Sequence, residues 1–427
     1  MIIYTTLPQD TLYKIANKYG TTISAIVGAN AISNPDKLAI GQNLIIPVDN
    51  IKHIAKRGDT LYNISKYYDV PLDKIIEANK DITNPNNIYI GQAIYVPYGI
   101  TPSRSAEING YAIANISQRT ISQIVPSLTY MAIFSYQVRA DGSMYTLYEQ
   151  NVINEARAST VAPLMVITNI GESGGFDSDL GHTILNDESV QNTLTNNILS
   201  TLQQKNYYGV DVDFEFLYPE DRDAYIAFLR KIKDAISPYG YTLSVAVAPK
   251  YRDNQPGILY EAHDYYAIGQ IADRVIIMTY EWGYVYGAPQ AIAPYNEVRE
   301  VISYAVTRIA PNKILMGVPN YAYDWTLPFS TGDSAETLTN NQAIDRAIQY
   351  GANIEWDDKA KSPYYNYIDN NAKTHVVWFE DARNYQAKTD IVRDYHLAGM
   401  SIWTVNNYFA PLYGVINNNF DIIRVIE

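Results

Sequence analysis

Three carboxylates alternate with apolar residues in the stretch Tyr207–Phe216, which reads YYGVDVDFEF. Side chains along a β-strand point alternately to its two faces, so Asp211, Asp213 and Glu215 must share one face. Like charges crowded on an apolar strand repel one another and are poorly solvated, which raises their pKa values and suits proton transfer. A solvated strand edge or a structural ion-pair network is the alternative, and the apolar residues between the acids disfavour it. The stretch therefore predicts a site for general acid–base chemistry.

The elements that would position these acids recur through the second part of the chain. Strand-like apolar runs, separated by helical patterns, cover residues 108–114, 128–134, 164–170, 209–216, 242–248, 274–280, 313–319 and 399–405. Eight strands that alternate with helices predict an α/β fold, a (β/α)8 barrel of the TIM type, whose active site lies at the carboxyl ends of the strands. The acids fall on the fourth strand, with Glu215 at the mouth. Residues 320–395 are too many for a simple connection and predict a small α+β insertion between strands 7 and 8.

The first 98 residues contain an internal duplication. The segment DTLYKIANKY from Asp10 recurs as DTLYNISKYY from Asp59, and the pair Gly-Gln at residues 41–42 recurs at residues 91–92. Each copy reads strand, helix, helix, strand, and the aspartate is expected to cap the first helix. We therefore predict two small βααβ domains at residues 1–48 and 51–98, a linker at residues 99–106 and a catalytic domain at residues 107–427.

Composition excludes several classes of function. The 427 residues include no cysteine, so disulfides, thiolate metal ligands and thiol nucleophiles are ruled out. A formal net charge of −13 argues against nucleic-acid binding. No apolar run is long enough for a membrane span, and the N-terminus does not resemble a standard signal peptide. The five histidines lack paired ligand spacing, so we expect no metal. We also expect that the protein uses no cofactor and is a monomer.

The acidic stretch itself carries a family resemblance. The run from Gly209 to Glu215 resembles the D-G-x-D-x-D-x-E signature of glycoside hydrolase family 18. Further similar motifs are NIG at residues 169–171, MTYE at residues 278–281, GVP at residues 317–319 and a tryptophan on the closing strand. The resemblance extends over essentially all of residues 107–427. It implies retaining cleavage after N-acetylglucosamine, in which the acetamido group of the substrate is the nucleophile.

The resemblance also implies a role for each site residue. Glu215 would be the general acid and then the general base, and Asp213 would stabilise the acetamido nitrogen. Asp211 would share a proton or a hydrogen bond with Asp213. Tyr280 would hydrogen-bond the acetamido oxygen, and Trp403 would form an apolar floor under the sugar. Further substrate contacts are expected at Glu281, Asn169, Tyr111 and Tyr321.

The sequence departs from the family pattern at three positions. Tyr208 replaces the first aspartate of the signature, which removes one inner carboxylate and is expected to alter how Asp211 and Asp213 titrate. Phe214 replaces the usual tryptophan and should change only packing, because its side chain points away from the acids. Glu281 stands where aspartate is usual and adds a methylene next to the substrate.

Each N-terminal copy resembles a LysM module through its opening DTL and its closing Gly-Gln, which Ile-Pro or Val-Pro follows. LysM modules bind glycans that contain N-acetylglucosamine, such as peptidoglycan and chitin, and the resemblance implies the same here. The implied glycan contacts are Asp10, Thr11, Leu12, Asn30 and Ile32 in the first copy, and Asp59, Thr60, Leu61, Asn79 and Ile82 in the second.

The order of domains suggests the substrate. Two LysM copies ahead of a family 18 barrel most resemble the spore-cortex fragment-lytic N-acetylglucosaminidases of spore formers. This resemblance implies a peptidoglycan hydrolase, associated with the spore or the cell wall, that cleaves β-1,4 bonds. A chitinase is an alternative because both domain types also act on chitin. A non-catalytic lectin is a second alternative, which the presence of Glu215 disfavours.

Overall fold

The computed structural model describes residues 1–48, 50–68, 70–85, 87–97 and 104–427. The linker expected at residues 99–106 therefore lies mostly outside the described residues, and residues 104–106 already belong to the first strand of the barrel. Within the described residues, every helix is too short or too polar to cross a membrane.

The N-terminal part folds as two small domains with the same plan. Their elements are β1 (Ile2–Thr5), α1 (Leu12–Tyr19), α2 (Ile23–Asn30) and β2 (Asn43–Ile46), then β3 (Asn50–Ile54), α3 (Leu61–Tyr68), α4 (Leu72–Ala78) and β4 (Ala93–Pro97). The two strands of each domain pair antiparallel. The βααβ prediction is confirmed for both copies.

Threonine, rather than the predicted aspartate, caps the first helix of each copy. The Thr11 hydroxyl accepts a hydrogen bond from the backbone N–H of Lys14 at 3.2 Å, and Thr60 caps the second copy in the same way. Asp10 stands one residue too early for this contact. It accepts instead from the backbone N–H of Leu7 at 2.8 Å, and so fastens the turn that leads into the helix.

Eight parallel strands close into a barrel within residues 104–427, all of which the structure describes. The first seven are β5 (Arg104–Ile113), β6 (Tyr130–Gln137), β7 (Ala162–Thr168), β8 (Gly209–Asp213), β9 (Thr242–Val247), β10 (Arg274–Ile277) and β11 (Ile314–Pro319). An antiparallel sheet follows, built from β12 (Ala322–Leu327), β13 (Glu336–Leu338), β14 (Glu355–Asp357), β15 (Ser362–Ile368) and β16 (Thr374–Trp378). The chain then returns as β17 (Gly399–Trp403), which pairs with β11 and β5 and closes the barrel. The predicted barrel and insertion are both confirmed.

Helices surround the barrel, and one of them packs on the inserted sheet. They are α5 (Gln118–Ile124), α6 (Gln150–Ala158), α7 (Ser178–Asn186), α8 (Glu188–Lys205), α9 (Arg222–Ile236), α10 (Tyr265–Ile271), α11 (Tyr295–Ala305), α12 (Asn340–Tyr350) in the insertion, α13 (Ala382–Asp394) and α14 (Ala410–Asn419). Short 3-10 turns lie at Val125–Ser127, Pro219–Asp221, Ser237–Tyr239 and Pro311–Lys313. A last strand, β18 (Phe420–Ile422), pairs with the start of β5.

Strand β8 shows how the period of two divides the barrel into two layers. Phe214, just after the strand, is fully buried and packs on the outside against Tyr225 and Phe228 of α9. Residues on the opposite face point into the barrel, where side chains such as Val166 on β7 and Ala246 on β9 form an inner core. The alternation therefore sends apolar side chains to the helices and leaves the acids inside.

The first N-terminal domain is docked on the barrel and the insertion. Ile45 packs into the core formed between the strands and helices of the barrel. The backbone N–H of Ile354 donates to the carbonyl of Ile40 at 2.8 Å, and the Asn43 side chain donates to buried Asp381 at 2.5 Å. We call the surface of the first domain that makes these contacts, formed by Ile40, Asn43 and Ile45, the docked face. The second domain packs on the first, and the buried residues of the two domains form one continuous hydrophobic core.

Candidate active site

The acids emerge from the carboxyl end of β8. Asp211 and Asp213 lie within the strand, and Glu215 follows two residues after its last residue. Asp213 and Glu215 both line a cavity that encloses about 690 Å³ of empty space, part of it open to solvent. The whole lining comprises Tyr111, Phe134, Phe176, Asp213, Glu215, Ala248, Pro249, Leu259, Met278, Tyr280, Glu281 and Trp403. An apolar cavity with a few convergent polar groups has the character of a ligand site.

Asp211 lies behind the cavity and is fully buried. One of its oxygens accepts from the Ser244 hydroxyl and the other from the Tyr111 hydroxyl, each at 2.6 Å. Both oxygens are therefore occupied, and among the described residues no hydrogen bond joins Asp211 to Asp213. This corrects the expectation that the two share a proton or a hydrogen bond. The charge of Asp211 nevertheless helps to raise the pKa of Asp213.

Burial and repulsion shift the titration of all three acids. Burial raises the pKa of Asp211 to about 6, against the effect of its two hydrogen bonds. Burial, followed by the charges of Glu215 and Asp211, raises the pKa of Asp213 well above its usual range. Burial, followed by the charge of Glu281, raises the pKa of Glu215 to about 7. Because the charge of Glu215 disfavours ionisation of Asp213, the two carboxyls titrate as a pair.

Asn169 holds the backbone of Glu215 in place. Its side-chain oxygen accepts from the N–H of Glu215 at 2.9 Å, and its side-chain nitrogen donates to the carbonyls of Glu215 and Asp177 at 2.9 and 3.0 Å. The residue is fully buried and does not line the cavity. The sequence predicted a substrate contact here, and the structure instead gives Asn169 a positioning role, because its polar atoms are all engaged by the backbone.

His263 braces the residue before the acid. Its Nδ1 accepts from the N–H of Ala248 at 3.0 Å, so its Nε2 carries the proton and donates to the carbonyl of Phe214 at 3.0 Å. Burial lowers the pKa of His263 to about 4, which keeps the ring neutral. The loop that carries Glu215 is therefore fixed from both β7 and the end of β9.

The aromatic residues predicted at the site surround the same cavity. Trp403 lies at the end of β17 and packs edge-on against two rings. The ring centroids are 5.4 Å apart for Trp403 and Tyr111, and 4.9 Å apart for Trp403 and Phe134. Tyr280 also lines the cavity, and burial raises its pKa well above the usual range, so its hydroxyl stays a hydrogen-bond donor. The arrangement provides an apolar floor and a phenol donor beside the acids.

Glu281 lies at the cavity mouth and is still partly exposed. Its carboxylate accepts hydrogen bonds from the hydroxyls of Tyr321 and Tyr323, both from the start of the inserted sheet. Tyr321 therefore meets the cavity through Glu281 and is not among its lining residues. The hydrogen-bond partners of this longer side chain therefore come from the insertion.

Tyr208 lies at the opposite end of the barrel from the cavity. Its ring is 6.1 Å from that of Tyr130, at the amino ends of the strands, where both border a second cavity with Arg274. Burial is the main cause that raises the pKa of Tyr208. Among the described residues, Tyr208 makes no contact with Asp211 or Asp213 that would support the expected change in their titration.

Several residues at the site were missed from the sequence. Ser244 and His263 come from β9 and the segment after it, and Tyr323 comes from the insertion. Ser244 on β9 was a usable signal, because the period of two makes it point inward like Asp211, its partner on the neighbouring strand. His263 lies in the loop after β9 and Tyr323 on strand β12, and the sequence offers no periodic signal for contacts between such distant segments.

The predicted glycan contacts of the N-terminal domains divide into two groups. Leu12 and Leu61 are buried in the cores of their domains. Asn30 and Asn79 are also buried, and each binds backbone atoms of its helix and its last strand. These four are structural residues, which corrects the expectation that a glycan contacts them. The others remain at least partly exposed, namely Asp10, Thr11, Ile32, Asp59, Thr60 and Ile82.

Metal ligation has no candidate in the described part of the chain, because no group of three or more His, Cys, Asp or Glu side chains is arranged to hold an ion. Asp211 of β8 instead accepts hydrogen bonds from the hydroxyl of Ser244 and the phenol of Tyr111.

Comparison with known proteins covers the whole chain. The family model described as "Glycosyl hydrolases family 18" matches residues 107–407, and that described as "LysM domain" matches residues 4–47 and 53–97. The cortical fragment-lytic enzyme of Bacillus subtilis is 37% identical over 431 residues and 99% of each chain. The putative sporulation-specific glycosylase YdhD of Bacillus subtilis is 33% identical over 433 residues and 100% of each chain.

A solved structure is similar over the same extent. The crystal structure of the Bacillus megaterium spore cortex-lytic enzyme SleL has a TM-score of 0.87 and 38% sequence identity, and the match covers 99% of each chain. The similarity includes both N-terminal domains as well as the barrel.

Proposed function

Because the chain belongs to glycosyl hydrolases family 18 and carries two LysM domains, we propose that it degrades the peptidoglycan of the bacterial spore cortex. It is a glycoside hydrolase. The relatives named cortical fragment-lytic enzyme and spore cortex-lytic enzyme support this substrate, since the likeness to each covers 99% of this chain. The bond cleaved is the β-1,4 linkage that follows N-acetylglucosamine.

One observation carries the mechanism: Asp213 and Glu215 both line a single cavity, and one buried oxygen of Asp213 has no hydrogen-bond partner in the part of the chain that the structure describes. A buried acceptor without a partner is costly unless a ligand supplies the donor. The N–H of a substrate acetamido group is a donor of the required kind. The geometry therefore favours a substrate whose reacting sugar carries an acetamido group.

Bond cleavage begins with Glu215 in its protonated form. Glu215 donates its proton to the glycosidic oxygen, while the acetamido carbonyl oxygen attacks the anomeric carbon and the bond to the leaving sugar breaks. Positive charge develops on the acetamido nitrogen, and Asp213 stabilises it by accepting the N–H. Tyr280 donates to the acetamido oxygen and orients it. Trp403 supports the apolar face of the sugar.

Hydrolysis of the intermediate reverses these roles. Glu215, now ionised, removes a proton from water, and the water oxygen attacks the anomeric carbon from the face that the leaving sugar vacated. The bond to the acetamido oxygen breaks, and the product retains its anomeric configuration. Every residue in this scheme comes from one chain, so the proposal requires no partner subunit.

The LysM domains hold the enzyme on its insoluble substrate. Each presents exposed residues next to its first helix, at Thr11 and Thr60, and a half-buried isoleucine, Ile32 or Ile82, in the loop before its last strand. Linking binding modules to a catalytic domain raises the local concentration of substrate. We therefore place the enzyme on the spore cortex or the cell wall.

Substrate identity is tested by digesting spore-cortex peptidoglycan and chitin side by side. We expect the full chain to release peptidoglycan fragments with N-acetylglucosamine at the new reducing end, which mass spectrometry after borohydride reduction identifies. Release of chitobiose with no products from peptidoglycan would show a chitinase instead. Binding of both polymers without any cleavage would show a lectin.

A further inference from the structure

The carboxylate of Glu281 depends on the inserted sheet for its hydrogen-bond partners. Glu281 follows β10 of the barrel, whereas Tyr321 and Tyr323 stand at the start of the insertion, about forty residues later. The Tyr323 hydroxyl reaches the two carboxylate oxygens at 3.0 and 3.3 Å, and Tyr321 donates to one of the same oxygens. The insertion thus extends into the active site through two phenols.

The backbone around Glu281 is also held by the insertion. Glu281 has a φ of +68°, a left-handed conformation that residues other than glycine rarely adopt. The loop that follows is fastened by Trp325 of β12, whose Nε1 donates to the carbonyl of Gly287 at 2.8 Å. The N–H of Ala335 donates to the carbonyl of Val285 at 2.7 Å. These contacts keep the Glu281 side chain at the cavity mouth.

No cation neutralises Glu281 in the part of the chain that the structure describes, because none of the ion pairs there includes it. The polar groups that face it are the phenols of Tyr280, Tyr321 and Tyr323 and the carboxyl of Glu215. Desolvation raises the pKa of Glu281, and the two tyrosine hydrogen bonds lower it. Phenol donors therefore favour the ionised carboxylate.

Glu215 is the carboxyl group that this charge affects. The carboxyls that face Glu215 are Asp213, the last residue of β8, and Glu281 in the loop after β10. After burial, the charge of Glu281 is the cause that raises the pKa of Glu215. A like charge nearby makes the proton of Glu215 harder to remove.

We infer that Tyr323, together with Tyr321, is a positioning residue that holds the Glu281 carboxylate ionised and close to Glu215, so that the acid keeps its proton. The inference rests on the proposed role of Glu215 as the general acid. It gives the insertion a task in the reaction: setting the pH range in which the acid is protonated. Glu281 is then a fixed charge as well as a cavity wall.

The pH dependence of kcat/KM on soluble peptidoglycan fragments tests this inference. Glu281→Gln removes the charge, and we expect the alkaline limb to move down by about one pH unit. Tyr323→Phe removes one hydroxyl from a buried ring and should move the limb in the same direction by roughly half a unit, which is about a threefold loss of rate above the limb. At pH 5 both the wild type and Tyr323→Phe should have similar rates.

A control and a double variant separate positioning from general damage. Tyr304 also donates to a carboxylate, that of Asp253, but it lies on α11 away from the cavity, so Tyr304→Phe should leave the limb unchanged. Tyr323→Phe in the Glu281→Gln background should cause no further shift, because the charge it positions is gone. An unmoved limb in Tyr323→Phe, or an equal further shift in the double variant, would overturn the inference. Full activity of Glu215→Gln would instead overturn the proposed function.

Discussion

The three acids of β8 differ in what surrounds them, although the sequence gives them equal spacing. Asp211 accepts hydrogen bonds from two hydroxyls, one buried oxygen of Asp213 has no hydrogen-bond partner among the described residues, and Glu215 lines the cavity. Equal spacing therefore does not mean equal chemistry. Burial and nearby negative charges raise the pKa values of Asp213 and Glu215, the two acids that line the cavity. These shifts favour the protonated acid that the proposed mechanism requires.

A site that raises carboxyl pKa values should cost stability at neutral pH. Glu215 titrates near 7 in the folded chain and near 4.3 when unfolded. Between these values the unfolded state gains from ionisation and the folded state does not, so wild-type stability falls as pH rises. Glu215→Gln cannot ionise, and we expect it to be more stable than the wild type by about 1–2 kcal/mol at pH 8 and by far less at pH 4.

Denaturant unfolding of both proteins at several pH values measures this difference. Glu300→Gln is the matched control, because Glu300 is an exposed residue on the outer helix α11 and should show no such pH dependence. A stability difference between Glu215→Gln and the wild type that stays constant, or shrinks as pH rises, would contradict the pKa assigned to Glu215.

At the level of elements, periodicity was sufficient to predict the barrel. The apolar run of residues 242–248 corresponds to β9 at Thr242–Val247, and that of residues 313–319 to β11 at Ile314–Pro319. Strand β8 ends at Asp213, earlier than predicted, and Glu215 lies in the loop. Strand patterns report burial on two faces, so they locate a strand better than they locate its end.

The contacts between elements were much harder to predict. Asn169 looked like a substrate ligand because it follows a strand at the active-site end, yet it clamps the backbone of Glu215 across 46 positions of sequence. The role of Tyr323 has no signal in the sequence, because its contact with Glu281 exists only after the inserted sheet has folded. Leu12 illustrates the converse: a motif residue assigned to glycan binding is part of a small core.

At the level of the whole molecule, the two LysM copies share one fold but differ in what they contact. In the first copy, a Cβ placed on Gly41 would lie 2.0 Å from the carbonyl oxygen of Ile354. At Gly91, the equivalent position in the second copy, such an atom would have no neighbour within 4 Å among the described residues. Tyr89, beside Gly91, is 70% exposed, whereas its counterpart Ala39 is buried against the insertion. The docked face is thus specific to the first copy.

This difference offers a matched pair of substitutions. Gly41 and Gly91 have φ values of +83° and +86°, so replacing either with alanine adds a similar strain of about 1 kcal/mol. Only Gly41→Ala also forces the docked face away from Ile354. We expect it to lower the melting temperature more than Gly91→Ala and to increase proteolysis within residues 1–97. Equal effects of the two variants, by calorimetry and limited proteolysis, would show that docking adds nothing to stability.

The docked face also fixes where the first LysM domain points. Its exposed loop is held next to α12 of the insertion, where the Ser33 hydroxyl donates to Asp345 at 3.0 Å. The insertion therefore contacts both the cavity, through Tyr321 and Tyr323, and the first LysM domain, through α12 and Ile354. A glycan bound by that domain would have a set orientation relative to the barrel.

The rate of peptidoglycan cleavage by Glu215→Gln tests the central claim most directly. The variant keeps the shape of the side chain and loses the transferable proton. We predict a fall in kcat of roughly a hundredfold to ten-thousandfold on cortex fragments, with binding to intact cortex unchanged. A rate within threefold of the wild type, measured from new reducing ends at pH 6, would contradict the assignment of Glu215 as the general acid.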